Sequence, residues 1–385
     1  MKYKLKNIFD LQMGKTPSRN NTNYWNTNDY EWISIADLSK TEKYITDTKE
    51  YLSTLAIEES GIKVIPANTV VMSFKLSIGK TAITGKDMYC NEAIMAFHDK
   101  HVVDILPEYI YYMFKYRNWD NGSNKAVMGK TLNKSTLSEV EIDICSIEKQ
   151  KEIVTVLDKV MESLSSRKKE LALFDELVRG RFVELFGDPV HNDKGWETDT
   201  VENLCKKIYG GGTPSKVHPE YYEEGDIPWV SSKDMKTDVL TDSQIKINQL
   251  GVDNSTAKIV PVNSVIVVIR SGILKHTLPV AINAVPITVN QDLKVFIPGE
   301  RMVSRFLAVQ FKMHEKDILT GVRAVTADNI EFNLLKQRKL IVPPIELQKE
   351  YVTFVTQIDK SKLIVQKELD ETQLLFDSLM QEYFG

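Results

Sequence analysis

Cysteine is scarce in this chain: Cys90, Cys145 and Cys205 are the only three in 385 residues. Odd in number and far apart in sequence, they give no disulfide framework and no zinc-knuckle spacing, and they fit a reducing, cytoplasmic setting. Long apolar runs are also missing. No segment approaches the roughly 20 apolar residues that span a bilayer. Met1 leads into the charged Lys2-Tyr3-Lys4-Leu5-Lys6 with no apolar stretch behind it, so no secretory leader is expected. Enzyme signatures fail in turn. Ile78-Gly79-Lys80-Thr81 resembles the end of a P-loop, but Phe74 occupies the position of the required upstream glycine. No G-x-G-x-x-G, no G-x-S-x-G and no H-E-x-x-H is present, and the six histidines show no metal-ligand spacing. Val342-Pro343-Pro344-Ile345 lacks the Asn or Asp that adenine methyltransferases place before paired prolines. The chain reads as non-catalytic and metal-free.

A strong charge of one sign is lacking as well. The formal net charge is −4, and all of it lies in residues 345–385, where four basic side chains face eight acidic ones. Residues 1–344 are neutral, so a basic face would have to come from sorting charges between surfaces. The acidic tail would repel a phosphate backbone and is expected to face solvent or protein.

What the chain does have is an internal repeat. Ile147–Gly187 aligns without a gap on Ile345–Gly385, with fifteen of forty-one positions identical. Upstream, Thr16-Pro17-Ser18 answers Thr213-Pro214-Ser215, Trp32 answers Trp229 and Asp37 answers Asp234. Ile65-Pro66 and Asn68 match Val260-Pro261 and Asn263, and Asn91 and Phe97 match Asn290 and Phe296. Two long units are too few for a solenoid and indicate a pseudo-dimer within one polypeptide.

Each unit divides into two parts. The matched 41-residue segments carry apolar residues at 4-3 spacing, the pattern of paired helices. The seam comprises Ile153, Leu157, Val160, Leu164, Leu171, Phe174, Val178 and Leu185 in the first copy, interrupted by Arg167 and Arg181, and Tyr351, Val355, Ile358, Val365, Leu369, Phe376, Leu379 and Tyr383 in the second, interrupted by Lys362 and Thr372. Ser146 is placed to cap the first helix, Pro343-Pro344 leads into the second, and Gly187 stops the first. The regions before the helices alternate β-prone runs (Thr69–Ser73, Ala93–Phe97, Val262–Ile269, Leu293–Ile297) with Gly, Asn and Pro turns. Shorter helices are expected at Pro107–Tyr116 and Val303–His314. The expected class is α+β, with modules at 1–146 and 188–344 and long helices at 147–187 and 345–385.

The candidate site residues lie in loops that combine glycine, hydroxyls and cations. The first loop is Gly14-Lys15-Thr16-Pro17-Ser18-Arg19, echoed by Gly212, Thr213, Ser215 and Lys216. Glycine permits close backbone approach, exposed N–H and hydroxyl groups can bond phosphate oxygens, and Lys or Arg adds charge. Either copy alone reads as a turn with a solvated cation; recurrence at matched positions points to a repeated ligand. The next element, Trp32 to Asp37 and Trp229 to Asp234, offers Ser34, Ser231, Ser232 and Lys233, with both tryptophans read as core. Lys75 and Lys80 are placed like Arg270, Ser271 and Lys275. Finally, Gly129-Lys130-Thr131 and Asn133-Lys134 are placed like Gly321-Val322-Arg323 and Thr326 to Asn329. These residue types read base edges and phosphates. The copies share their frame residues and differ most at the loop tips.

Two G-x-T-P-S-[KR] modules, each with W-[IV]-S-x-x-D and each followed by a helix that begins near I-E-x-Q and ends in F-G, resemble the specificity subunit of type I restriction–modification systems. The Phe186-Gly187-Asp188-Pro189 to Gly195-Trp196 junction is similar to that family's link between halves. The resemblance implies a non-enzymatic DNA-reading subunit with two target-recognition domains separated by two long antiparallel coiled-coil-like helices. Such a subunit docks two methyltransferase subunits, which bind S-adenosylmethionine and methylate adenine, and restriction subunits can join. The rival readings are the recognition subunit of a related system with a fused methyltransferase-nuclease, and a coiled-coil scaffold that binds only proteins.

Overall fold

The computed structural model describes residues 1–75, 77–119, 132–321, 323–324 and 328–385, with backbone only for Asn26, Arg323 and Ala324. It comprises two compact units, Met1–Lys168 with Gln366–Gly385, and Lys169–Val365. The class is α+β, as expected.

The first unit is built on a five-stranded sheet of β1 (Phe9–Met13), β2 (Tyr44–Ile45), β3 (Val70–Ser73), β4 (Thr81–Thr84) and β5 (Ile94–Asp99), in the order β1-β5-β3-β4-β2. All pairs are antiparallel except the edge pair β2 with β4. The second unit repeats that order with β6 (Cys205–Gly210), β7 (Val239–Leu240), β8 (Val265–Val268), β9 (Val280–Asn283) and β10 (Leu293–Pro298), arranged β6-β10-β8-β9-β7. Strands β3, β4, β8 and β9 are buried along their whole length. This explains the apolar runs Val70–Met72 and Val265–Val268, since a helix covers one face and a smaller sheet borders the other. The covering helices are Pro107–Tyr116 and Ser304–Met313, within a residue of expectation. The smaller sheets centre on Trp25–Ile33 and Ile227–Val230.

The match of Asn68 with Asn263 has a backbone cause. Both take a left-handed conformation, φ 60° and 64°. Asn tolerates that region better than most side chains. Each N–H then reaches a carbonyl on the neighbouring strand, Thr84 at 2.7 Å and Asn283 at 2.9 Å.

The two long helices run Ile147–Phe186 and Ile345–Phe384. The Ser146 hydroxyl accepts the Lys149 N–H at 3.4 Å, and Gly187 ends the first helix at φ 75°. Within the first unit, Arg167 pairs with Glu368 at 3.0 Å and lies 3.4 Å from the Thr372 hydroxyl. Within the second, Lys362 pairs with Asp175, Arg181 with Glu350 at 3.2 Å, and the Tyr351 hydroxyl donates to the Val178 carbonyl at 3.1 Å. In the second unit rising numbers on one helix meet falling numbers on the other, so the segments there are antiparallel.

The seam departs from the heptad expectation. Ile153, Leu157, Leu164, Val355, Val365 and Phe376 are buried, but Val160, Leu171, Phe174, Ile358 and Leu369 are only half-buried. Phe182, Phe186, Tyr351 and Met380 are as tightly buried as Leu157 and Val355. The reason is a third partner. Phe182 stacks on Phe306 of the covering helix with ring centres 5.6 Å apart, and Tyr112 and Tyr109 meet Phe376 and Phe384 at 6.4 and 5.4 Å. The long helices are anchored by their globular modules as well as by each other, which a two-helix repeat pattern does not encode.

Candidate functional site

Strand polarity gathers the candidate loops at one end of each sheet. Met13, Met95 and Met72 sit side by side, so the loops after Met13, after Ser73 and before Ile94 leave from the same edge. Leu132 returns there, donating its N–H to the Phe74 carbonyl at 3.1 Å. The second unit repeats this with Gly210, Lys294 and Val267 in line and Ile330 donating to the Ile269 carbonyl at 2.8 Å.

The first loop is fixed from three sides. A Cβ on Gly14 would overlap the carbonyl oxygens of Cys90 and Asn91, and one on Gly211 those of Val289 and Asn290. The Trp32 indole donates to the Lys15 carbonyl at 3.0 Å, and the Trp229 indole to the Gly212 carbonyl at 3.0 Å. Both indoles are buried, as expected of core. Thr16 then donates to Glu92, and Thr213 to Gln291. Gly212 is buried, whereas Ser18, Ser215 and Lys216 are exposed. The Ser215 hydroxyl accepts the Val217 N–H at 3.4 Å. Lys15 donates to the Ser60 carbonyl.

Arg19 and Lys216 occupy equivalent positions but differ. The Arg19 guanidinium lies 3.8 Å from the centre of Trp25 and pairs with Glu50. The position of Glu50 opposite Trp32 is held in the second unit by Ile245 opposite Trp229, which leaves Lys216 without that carboxylate.

Ser34 and Ser231 are framework groups. Each donates its hydroxyl to an aspartate three residues on, Asp37 at 2.6 Å and Asp234 at 2.8 Å, and each backbone N–H binds the same carboxylate. Ser232 is half-buried and Lys233 exposed at the tip of that turn.

The remaining loops meet the first. Lys75 lies over the Phe74 ring at 5.3 Å, and Lys80 is exposed. At the place of Lys75 the second unit has Arg270, whose Nε donates to Asp292 at 2.6 Å and whose backbone bridges Asn329. Ser271 caps a short turn, Lys275 lies 3.8 Å from buried Asp328, and Asn329 is exposed. Burial, and then nearby Arg270, lower the Lys294 pKa against the pull of Asp292, whose carboxylate also pairs with the Arg270 guanidinium. Because Leu132 and Ile330 are equivalent, Asn133 answers Glu331 and not the Thr326 to Asn329 stretch. Asn133 caps the helix Lys134–Ser138, accepting the Thr136 N–H at 2.8 Å. Lys130 and the Arg323 side chain lie outside the described residues.

Glu92, Gln291 and Lys294 were not singled out by the loop motifs. Their signal was the change from Glu92 to Gln291 beside the matched Asn91 and Asn290. Among the described residues no group of His, Cys, Asp or Glu is placed to hold a metal, and no helix is long and apolar enough to cross a membrane.

Sequence comparison adds an independent finding. The type I restriction modification DNA specificity domain matches twice, over residues 1–173 and 193–373. The MjaIX type I restriction enzyme specificity subunit of Methanocaldococcus jannaschii is 25% identical over 98% of this chain and 90% of its own length. The EcoR124I/EcoR124II specificity subunit of Escherichia coli is 33% identical over 54% of this chain and 52% of its own. The crystal structure of the type I system S subunit from M. genitalium covers 100% of this chain and 96% of its own, with a TM-score of 0.59 at 16% identity. At that identity it bears on the fold alone.

Proposed function

This chain belongs to the type I restriction modification DNA specificity family, and we propose that each of its halves reads one half of a bipartite duplex site through the loops at its sheet end. The observation that carries the reading is the repetition of one loop frame with different tips. Gly14 and Gly211, Trp32 and Trp229, and Ser34 with Asp37 and Ser231 with Asp234 build the same scaffold. On it stand Lys75 in one half and Arg270 in the other, Glu92 and Gln291, Arg19 and Lys216. Arg270 and Asn329 are the types that contact base edges, while Lys216, Lys233 and Lys275 suit phosphates. We assign the recognition modules to 1–146 and 188–344.

The chain itself does no chemistry in this reading. It holds the duplex for two methyltransferase subunits that carry S-adenosylmethionine, since methylating a base within a duplex requires flipping it out; restriction subunits can join them. The long helices offer a surface for such partners: Leu363, Ile364 and Leu374 are 71%, 61% and 69% exposed, with Leu173, Leu177 and Leu375 also at the surface.

The test is modular replacement. Residues 1–146 are exchanged for those of another family member, and methylated adenines in the host are mapped by single-molecule sequencing. One half of the methylated motif should change while the other stays. A change in both halves overturns the assignment.

A further inference from the structure

The first unit carries a cationic cleft that the second does not reproduce. It has a volume of about 490 Å³, and among the described residues three basic side chains and no acidic one line it: Lys80, Lys115 and Arg117. Ser39, Thr41 and Trp119 also line it, the two hydroxyls donating to the Ile35 and Asp37 carbonyls at 2.9 Å. Three separate elements build it. Lys80 ends the loop between β3 and β4, and the backbone of that loop at Gly79 lies against Trp119. Lys115 is in the last turn of the helix Pro107–Tyr116 and donates to the Tyr111 hydroxyl at 2.7 Å. Arg117 follows that helix, donating to the Glu141 carbonyl at 2.9 Å with its guanidinium 5.5 Å from the Trp119 ring centre. The indole N–H of Trp119 is spent on the Phe114 carbonyl at 2.8 Å, so its role is to shape the floor.

Cations gathered in one cleft repel one another, and Lys115 and Arg117 shed part of their hydration to sit there. Burial lowers the Lys115 pKa, with Lys168 and Lys80 acting in the same direction and Glu42 opposing. Such an arrangement is stabilised by an anion. The other unit shows what neutralisation looks like. There Lys312, the counterpart of Lys115 on the covering helix, pairs with Asp238. Asp238 stands where the first unit has Lys43: the Ile282 N–H donates to the Asp238 carbonyl, and the Ile83 N–H to the Lys43 carbonyl, both at 2.9 Å. Lys43 is itself committed to Asp158 at 2.6 Å. One exchange, aspartate for lysine, leaves the first cleft open to an outside anion and closes its counterpart.

We propose that the cleft of Lys80, Lys115 and Arg117 binds a phosphate of the DNA backbone, giving the first half of the chain a sequence-independent anchor that the second half lacks. A phosphodiester fits because the cleft opens beside Lys80, which also belongs to the loop end that faces the bases. The inference rests on the reading of the chain as a DNA-binding subunit and adds an asymmetry to it.

The test uses the full chain with its methyltransferase partner and a 30-base-pair duplex of random sequence, with affinity measured across a series of NaCl concentrations. Lys80→Ala should lower the slope of log affinity against log salt by about 0.9, and Lys80→Ala with Lys115→Gln by about twice that, costing roughly tenfold or more in affinity near 0.15 M salt. Lys80→Arg should retain wild-type affinity. Lys360→Ala, which removes one exposed cation from the second long helix, is the control for net charge. The methylated motif should be the same for Lys360→Ala and the wild type. If the wild-type complex binds and the Lys80 and Lys115 variants match Lys360→Ala in affinity and slope, the cleft is not an anchor. A wild-type complex without salt-dependent duplex binding overturns the DNA-binding reading and this inference with it.

Discussion

The guanidinium of Arg19 lies 3.8 Å from the centre of the Trp25 ring while its nitrogens pair with Glu50. Its repeat counterpart, Lys216, projects into solvent. Matched positions in the two halves therefore do different work. Arg19→Ala should cost about 1 kcal/mol of stability through the lost cation–π and ion-pair contacts, with little change in the salt slope of DNA binding. Lys216→Ala should leave thermal unfolding alone and lower the slope by about 0.9. Differential scanning fluorimetry and titrations at several salt concentrations check both, and the opposite pattern would exchange the two roles.

Gly211 has no room for a side chain against the Val289 and Asn290 carbonyls. Gly211→Ala must push the Gly212 to Lys216 loop off its seat, at about 1–3 kcal/mol for overpacking. The expected outcome is degraded recognition of one half-site with the other intact, read from methylated adenines in the host. Gly14→Ala should damage the complementary half. If both variants keep the full motif, the first loop does not read DNA.

His314 gives the second unit a pH dependence. It is buried, its Nδ1 lies 3.4 Å from Arg338 Nη1, and its pKa falls to about 4 because of burial first and the Arg338 charge second. A guanidinium donates to Nδ1 only while that nitrogen is unprotonated. Between pH 6.5 and about 4 the unfolded chain binds a proton that the folded chain refuses, so stability is full above pH 6.5 and is lost as pH falls. The loss should total about 3 kcal/mol. His314→Gln should flatten urea-unfolding stability across that window; an unchanged slope would place the titration elsewhere.

The long helices are expected to set the spacer between half-sites. Inserting four residues near Ser165-Ser166 adds about 6 Å of rise, on the order of two base-pair steps, and nearly preserves the apolar seam. With its methyltransferase partner the variant should methylate sites whose spacer is one or two base pairs longer, both half-sites unchanged. Methylation at the original spacing would make the helices a dock for partners and not a ruler.

The sequence by itself determined the repeat, the two 40-residue helices, the covering helices and the frame of the loops. These are local matters: periodicity specifies a helix, glycine a close approach, and a Pro-x-Asn cluster a turn. Only the tertiary structure decided which side chains remain available. Arg19 and Ser34 carry the right chemistry for a phosphate, but Glu50 and Asp37 hold them, and those partners are reached through strand pairing and turn closure that no spacing announces. Folding likewise brought Lys115 and Arg117 to Lys80, and shifted the equivalence of Asn133 from Asn329 to Glu331. The long helices followed the same rule: their 4-3 pattern was legible, while the aromatic stack of Phe182 on Phe306 was not, because contacts between distant segments depend on how the elements pack and not on the order in which their residues are written.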